Sequence, residues 1–181
     1  MILIGAAVVL AGALALAAVS AAGDGERVRG SGRFERAATW QAGYSAADLH
    51  LLAGMAAVAR VELAADEIEV VLKHVDGSGD GVVITGSRLP PGRLASRVAH
   101  GDGLAGRTLL AGRPMFGGEE PAALGVPIAS AGVVVGAVTA VAEDDGSFGT
   151  WHVLRLAALA AEAGRHLGPR AVVSGAQRDA G

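Results

Sequence analysis

Two pairs of strand-like segments, each joined by a short turn, constrain the fold of this chain more than any other feature. Glu67–Val75 and Val82–Thr85 flank the Gly- and Asp-rich turn Asp76–Gly81, and Ala123–Ser130 and Val133–Ala142 flank a two-residue turn that contains glycine. Segments with this spacing return on themselves as hairpins. The sequence therefore predicts an antiparallel sheet.

Two of these segments allow a more specific prediction. Apolar Ile68, Val70 and Leu72 alternate with other residues in Glu67–Val75, which predicts a strand with one buried face. Pro127 lacks the backbone N–H that a central strand uses, so the strand that contains it is expected at an edge of the sheet or beside a bulge.

Helical patterns flank the strand pairs at both ends. Ala46–Val61 places apolar and small residues at helical spacing, with Ser45 as its N-cap and Asp48 at the capping-box position. Phe148–Leu167 is predicted as a closing helix, one face of which is unusually rich in small residues. Hairpins flanked by helices predict an α+β fold, with a central antiparallel sheet and helices on its faces.

The middle of the chain contains shorter predicted elements. Pro90-Pro91 is typical of a helix start and predicts a short helix over Gly92–His100. Gly101-Asp102-Gly103 ends this helix, Leu104–Ala111 adds one or two helical turns, and Arg113–Phe116 is a short strand.

The first residues, Met1–Gly23, carry no charged side chain. As a helix, about 22 residues span roughly 33 Å, enough to cross a hydrocarbon core of about 30 Å. Arginines follow directly, at Arg27, Arg29, Arg33 and Arg36, and no Lys or Arg precedes the segment. The positive-inside rule then predicts a single-pass membrane protein whose globular domain is cytoplasmic.

A cleaved signal peptide is the alternative for this segment. Val19-Ser20-Ala21 fits a cleavage site of small residues, but the basic start of a signal peptide is missing and the apolar run is long. The predicted organisation is an anchor (residues 1–23), a juxtamembrane linker (24–44), a globular domain (45–168) and a flexible tail (169–181).

Composition excludes several classes of function. The chain contains no cysteine, which removes disulfides, thiolate metal sites, cysteine nucleophiles and thioether-linked chromophores. A net charge of −3 argues against nucleic-acid binding, because that function needs a basic face. The five histidines lack metal-ligand spacing, and no Gly-x-Ser-x-Gly elbow occurs. We therefore expect neither an enzyme nor a metal site.

The order of motifs in the second half of the chain resembles that of a GAF domain. The motifs are a G-x-G-x-x-G loop at Gly101–Gly106, Gly112-Arg113-Pro114, a strand with Val126-Pro127-Ile128, the strand Gly132–Val138, and Phe148 opening the closing helix. With the segments before them, they cover Ser45 to Leu167. A dinucleotide fingerprint is the other interpretation of the glycine loop, but that motif must follow a strand, and a helix is predicted here.

The resemblance implies a small-molecule site between the sheet and an overlying segment, here residues 92–116. The candidate ligand-binding residues in or at the end of this cover are Arg97, His100, Asp102, Arg107, Thr108 and Phe116. Solvent-facing surface positions are the alternative for each polar member. Bilin attachment and methionine-sulfoxide reduction need cysteines in this family, and a haem on His74 or His100 lacks support, so no cofactor is expected.

Two functions remain open at this stage. One is a membrane-anchored sensor that binds an unknown small molecule and signals through a separate protein, since no output segment follows Leu167. The other is a ligand-free docking or dimerisation module. The resemblance implies a homodimer through the first and last helices, which the small residues Ala157, Ala160, Ala161 and Gly164 would allow to pack closely.

Overall fold

The computed structural model describes residues 43–74, 77–118, 122–142 and 148–167. The predicted anchor, the tail and all of the predicted linker before residue 43 lie outside these ranges, so those predictions stay predictions. Within the described ranges, the helices are too short or too polar to cross a membrane.

Three helices and six strands make up the described part of the chain. The helices are α1 (Ala46–Glu62), α2 (Gly103–Ala111) and α3 (Thr150–Leu167). The strands are β1 (Glu67–Lys73), β2 (Gly81–Ser87), β3 (Arg97–Val98), β4 (Met115–Gly117), β5 (Ala122–Ser130) and β6 (Val133–Ala142). They form one sheet in the order β3-β2-β1-β6-β5-β4, in which each neighbouring pair is antiparallel. The predicted α+β fold with a central antiparallel sheet is confirmed.

The start of α1 is fixed by the predicted capping box. The Ser45 hydroxyl accepts a hydrogen bond from the Asp48 backbone N–H (3.2 Å), and the Asp48 carboxylate accepts one from the Ser45 N–H (2.8 Å). These bonds satisfy donors that have no partner inside the helix. Tyr44, just before the predicted domain boundary, is already buried, and its hydroxyl donates to the Val135 carbonyl (3.4 Å).

Helices α1 and α3 cover one face of the sheet and form the larger core. The strand residues buried in this core are Ile68, Val70, Leu72, Val82, Ile84, Leu124, Val126, Ile128, Val138 and Ala140. Ala160 and Gly164 of α3 are buried, and a Cβ at Gly164 would overlap the Ala129 carbonyl of β5. The small residues therefore bring α3 close to its own sheet, and Ala161, expected on the same face, is exposed.

Helix α2 covers the other face of the sheet, which we call the α2 face. Ala105 and Leu109 pack there against Val71, Val83 and Ala137 of the three central strands. The expectation that β1 has one buried face is therefore wrong, because α2 removes its second face from water as well.

The predicted helix over Gly92–His100 is also wrong. Residues 88–96, which we call the strap, are irregular and lead into β3. The Ala95 N–H donates to the Val83 carbonyl (2.8 Å), and the Val83 N–H donates to the Ser96 carbonyl (3.0 Å). Pairing with the open edge of β2 thus replaces helical hydrogen bonds, and Ala95 has a left-handed φ of 64°, which a right-handed helix excludes.

The prediction for Pro127 is confirmed. Strand β4 pairs with β5 only at Ala123, Leu124 and Gly125, so at Pro127 no strand among the described residues pairs with the outer side of β5. A register shift follows immediately, between Ile128 and Ala129.

We predict that Gly164→Ala destabilises the domain although alanine is the better helix former by about 1 kcal/mol. The added methyl group would overlap the Ala129 carbonyl, and overpacking of this kind costs about 1–3 kcal/mol. The thermal midpoint should fall by several degrees. Gly149→Ala is the matched control, because the nearest atom to a Cβ there lies 4.0 Å away. An unchanged midpoint for Gly164→Ala would contradict the packing of α3 on β5.

Candidate functional site

A row of small and polar residues crosses the α2 face of the sheet. The strand register aligns Gly86 of β2, Glu69 of β1, Thr139 of β6, Gly125 of β5 and Met115 of β4. Residues directly opposite each other on antiparallel strands share a face. Because Val71, two residues from Glu69, packs against α2, the row lies on the α2 face. We call Glu69, Thr139 and Gly125 the polar row.

Glycines let the covering segments reach the sheet on both sides of the row. A Cβ at Gly125 would overlap the Thr108 hydroxyl of α2, and a Cβ at Gly86 would lie 2.7 Å from the Leu89 side chain of the strap. Both positions therefore require the absence of a side chain. The polar row thus lies between two covers, α2 on one side and the strap on the other.

Glu69 is the charged residue of the row, and Arg93 of the strap is its partner. Arg93 Nε donates to Glu69 Oε2 (2.5 Å) and Arg93 Nη2 donates to Glu69 Oε1 (3.0 Å). The Glu69 side chain is 6% exposed and that of Arg93 is 38% exposed. The hydrogen bond that Arg93 donates to Glu69 raises the pKa of Arg93, burial opposes this increase, and the negative charges of Glu69 and Glu67 add to it.

A second pair with nearly the same donor geometry joins the two long helices. Arg155 Nε donates to Glu62 Oε2 (2.5 Å) and Arg155 Nη2 donates to Glu62 Oε1 (2.6 Å). Arg155 is 38% exposed, like Arg93, but Glu62 is 32% exposed. The two pairs therefore differ mainly in the burial of the carboxylate, and an exposed pair contributes little to stability.

Two of the six predicted ligand-binding residues meet at Asp80, in the connection between β1 and β2. Arg97 Nε donates to Asp80 Oδ2 (2.7 Å), and the His100 backbone N–H donates to Asp80 Oδ1 (2.8 Å). The side chains of Arg97 and His100 are exposed. This cluster ties the end of β3 to the β1–β2 connection.

The other four predicted residues lie on α2 and β4. Asp102 is the N-cap of α2 and accepts from the Gly103 N–H (2.9 Å), and Arg107 Nε donates to the Gly103 carbonyl (3.1 Å). Thr108 is fully buried and lies over Gly125, whereas Phe116 is exposed. Of the six, the contacts in the described residues bring only Thr108 to the polar row, and the ligand-binding role of all six stays a prediction.

Sequence reasoning missed the main polar residues of this face. Glu69, Arg93 and Thr139 were not candidates, because their proximity depends on strand register and on the path of the strap. The available signal is the charge of Glu69 in the interior of a strand whose other interior residues, Ile68 and Val70–Leu72, are apolar.

The glycine motif Gly101–Gly106 spans the start of α2, and its glycines stand where the backbone requires them. Gly101 and Gly103 have positive φ values of 83° and 57°, and a Cβ at Gly106 would overlap the Ala99 carbonyl. A strand does precede this loop, contrary to expectation, but β3 has two residues and pairs antiparallel with β2. The loop is therefore not part of the parallel βαβ unit that a dinucleotide site requires.

Comparisons with known proteins identify the fold. No family model and no curated protein match the sequence. Among solved structures, the GAF domain of an Acinetobacter phosphoenolpyruvate-protein phosphotransferase is similar with a TM-score of 0.60, at 16% identity over 73% of this chain and 89% of that chain. The GAF-B domain of DevS from Mycobacterium smegmatis matches with a TM-score of 0.56, at 19% identity over 65% of this chain and 90% of that chain.

An enzyme has a similar structure. The free methionine-R-sulfoxide reductase of Neisseria meningitidis, solved in complex with its substrate, matches with a TM-score of 0.56, at 19% identity over 74% of this chain and 86% of that chain. Identities this low establish the fold alone. The sheet order, the helices on both of its faces and these matches show that the described part of the chain is a GAF-like domain.

Proposed function

We propose that this domain is a regulatory module that binds a small molecule on its α2 face. The observation that carries the proposal is the polar row, where a buried carboxylate and a buried hydroxyl lie between two separate covering segments. Apolar residues would fill such a position at lower free energy, because burying polar groups costs desolvation. Small-molecule sites are typically concave surfaces with a few polar groups of this kind.

A ligand on this face would act through the segments that cover it. It would contact the strap on one side and α2 on the other, and both meet the central strands. Those strands pack with their opposite face against α1 and α3. A ligand that binds more tightly to one arrangement of the covers would shift the population toward it.

The proposed role is binding without catalysis. Two of the structurally similar proteins are methionine-sulfoxide reductases, but this chain cannot use a cysteine thiol because its sequence contains no cysteine. The resemblance to sensory GAF domains favours a signal that is passed to a separate protein.

We predict that Thr139→Val weakens binding of any ligand found by a thermal-shift screen of small metabolites. The substitution removes the hydroxyl from the polar row at nearly constant volume, and loss of one hydrogen bond should weaken binding roughly 10-fold. Thr85→Val is the matched control, because Thr85 pairs with Val70 on the opposite face. Equal losses for both variants, or no ligand for the wild type, would contradict a site on the α2 face.

Membrane attachment through residues 1–23 is a further part of the proposal, supported by the uncharged sequence of that segment. We predict that the full chain fractionates with membranes and resists alkaline extraction, whereas residues 24–181 stay in the supernatant. A full chain that is soluble, or whose mature N-terminus lies just after Ala21, would contradict the anchor.

A docking module is the second candidate, favoured by an exposed apolar patch. Trp151 and Leu154 lie one turn apart on α3 and are 57% and 66% exposed, and Val61 at the end of α1 is also exposed. The adjacent residues Glu62 and Arg155 join the two helices, so the three apolar side chains lie at the same end of this helix pair.

We predict for this candidate that Leu154→Glu abolishes self-association measured by analytical ultracentrifugation of residues 24–181. A charge in an apolar contact costs several kcal/mol when it is buried. Leu110→Glu is the control, because Leu110 is equally exposed but lies on α2. A monomer in the wild type, or the same loss in both variants, would contradict a docking surface at this patch.

A further inference from the structure

The partner of Glu69 is a planar cation supplied by the protein itself. Two parallel N–H···O bonds join the Arg93 guanidinium to a carboxylate that is almost completely buried. This is the geometry in which a guanidinium and a carboxylate recognise each other most specifically. We propose that Glu69 is the recognition group for a small molecule carrying a guanidinium or amidinium group, and that Arg93 is an internal competitor which such a ligand displaces.

The burial of Glu69 restricts what can replace Arg93. A buried carboxylate that loses its partner destabilises a protein strongly. A ligand that removes Arg93 must therefore bring a positive charge and two parallel donors to the same two oxygen atoms. An ammonium group is a point charge and matches this arrangement less well than a guanidinium or amidinium group.

The charge of Glu69 disfavours anionic ligands. Glu67, on the same face of β1, is close enough to Arg93 to attract it. Once Arg93 is displaced, the buried Glu69 carboxylate has lost its positive partner, and this position of the polar row is negative. A carboxylate or phosphate would be repelled there, whereas a cation would be attracted.

The attachment of Arg93 allows it to leave. Its side chain is more than a third exposed, and it comes from the irregular strap. Its backbone N–H donates to the Pro90 carbonyl inside the strap (3.1 Å), and the backbone hydrogen bonds between the strap and the sheet begin only at Ala95. Release of the Arg93 side chain therefore breaks no backbone hydrogen bond between strap and sheet.

This inference rests on the proposed function, since it names the ligand class of the same face. Displacement of Arg93 would free the strap from β1 while its ends stay attached through Leu89 and Ala95. The signal would then be a change in the conformation of the strap. It would be driven by the difference between the affinities of the ligand for the two arrangements of the strap.

The Arg93 Nε–H resonance of the full chain tests the displacement directly. A titration of ¹⁵N-labelled protein with agmatine should remove the Arg93 Nε–H signal and leave that of Arg155 in place. Putrescine, the corresponding diamine without the guanidinium group, should leave both signals unchanged. Persistence of the Arg93 signal at saturating agmatine, or loss of both arginine signals together, would overturn the proposal.

Two matched variants provide a test that does not depend on how tightly the wild-type protein binds agmatine. Arg93→Ala should unfold at a lower temperature than wild type, and ethylguanidinium, which replaces the removed atoms, should restore part of the difference. Arg155→Ala removes an equally exposed arginine from Glu62, a carboxylate that is about one-third exposed, and ethylguanidinium should not raise the unfolding temperature of this variant. Equal responses of the two variants would refute a specific site at Glu69.

The outcomes separate this inference from the proposed function. If agmatine leaves Arg93 in place while another compound binds and responds to Thr139→Val, the α2 face is a ligand site and the assignment of a cationic ligand is wrong. If a ligand displaces Arg93 but ignores Thr139→Val, the inference holds and the extent of the site is smaller than the polar row.

Discussion

The pairing of β1 with β6 is the interaction on which the rest of this structure depends. It joins two hairpins that are distant in sequence, and it places both central strands where neither face meets water. One face carries the core with α1 and α3, and the other carries α2 and the strap. Because every covering element packs on these strands, both the larger core and the candidate site require this one ladder of hydrogen bonds.

The second constraint is that the covering segments must approach the sheet closely, and a glycine allows this at each of them. Gly164 brings α3 to β5, Gly125 brings α2 to the same strand on its other face, and Gly86 admits the strap to the edge of the row. Strand β5 is thus contacted through glycine from both sides. The abundance of small residues in this chain therefore has a structural use at particular positions, beyond its effect on average composition.

The sequence predicted the elements whose signals are local. The capping box of Ser45 and Asp48, the hairpins and the edge position of Pro127 each follow from a few neighbouring residues. The helix predicted for the strap was wrong because the strap forms backbone hydrogen bonds with Val83 of β2. The helix-start signal at Pro90 is local and contains no information about that partner. Local sequence signals could not predict the site either, because Arg93 and Glu69 are brought together only by the tertiary fold. The charge of Glu69 on a two-sided strand was the one local sign of it.

The Glu69–Arg93 pair also restricts how a chain of this kind can change over generations. Loss of Arg93 alone leaves the buried Glu69 charge without a partner, so that substitution carries a heavy penalty, whereas simultaneous replacement of both residues by apolar side chains of similar volume does not. Descendants should consequently keep both members or neither. Descendants that keep neither would have an apolar, closely packed surface beneath the strap. They would lose any response to a ligand that depends on Glu69.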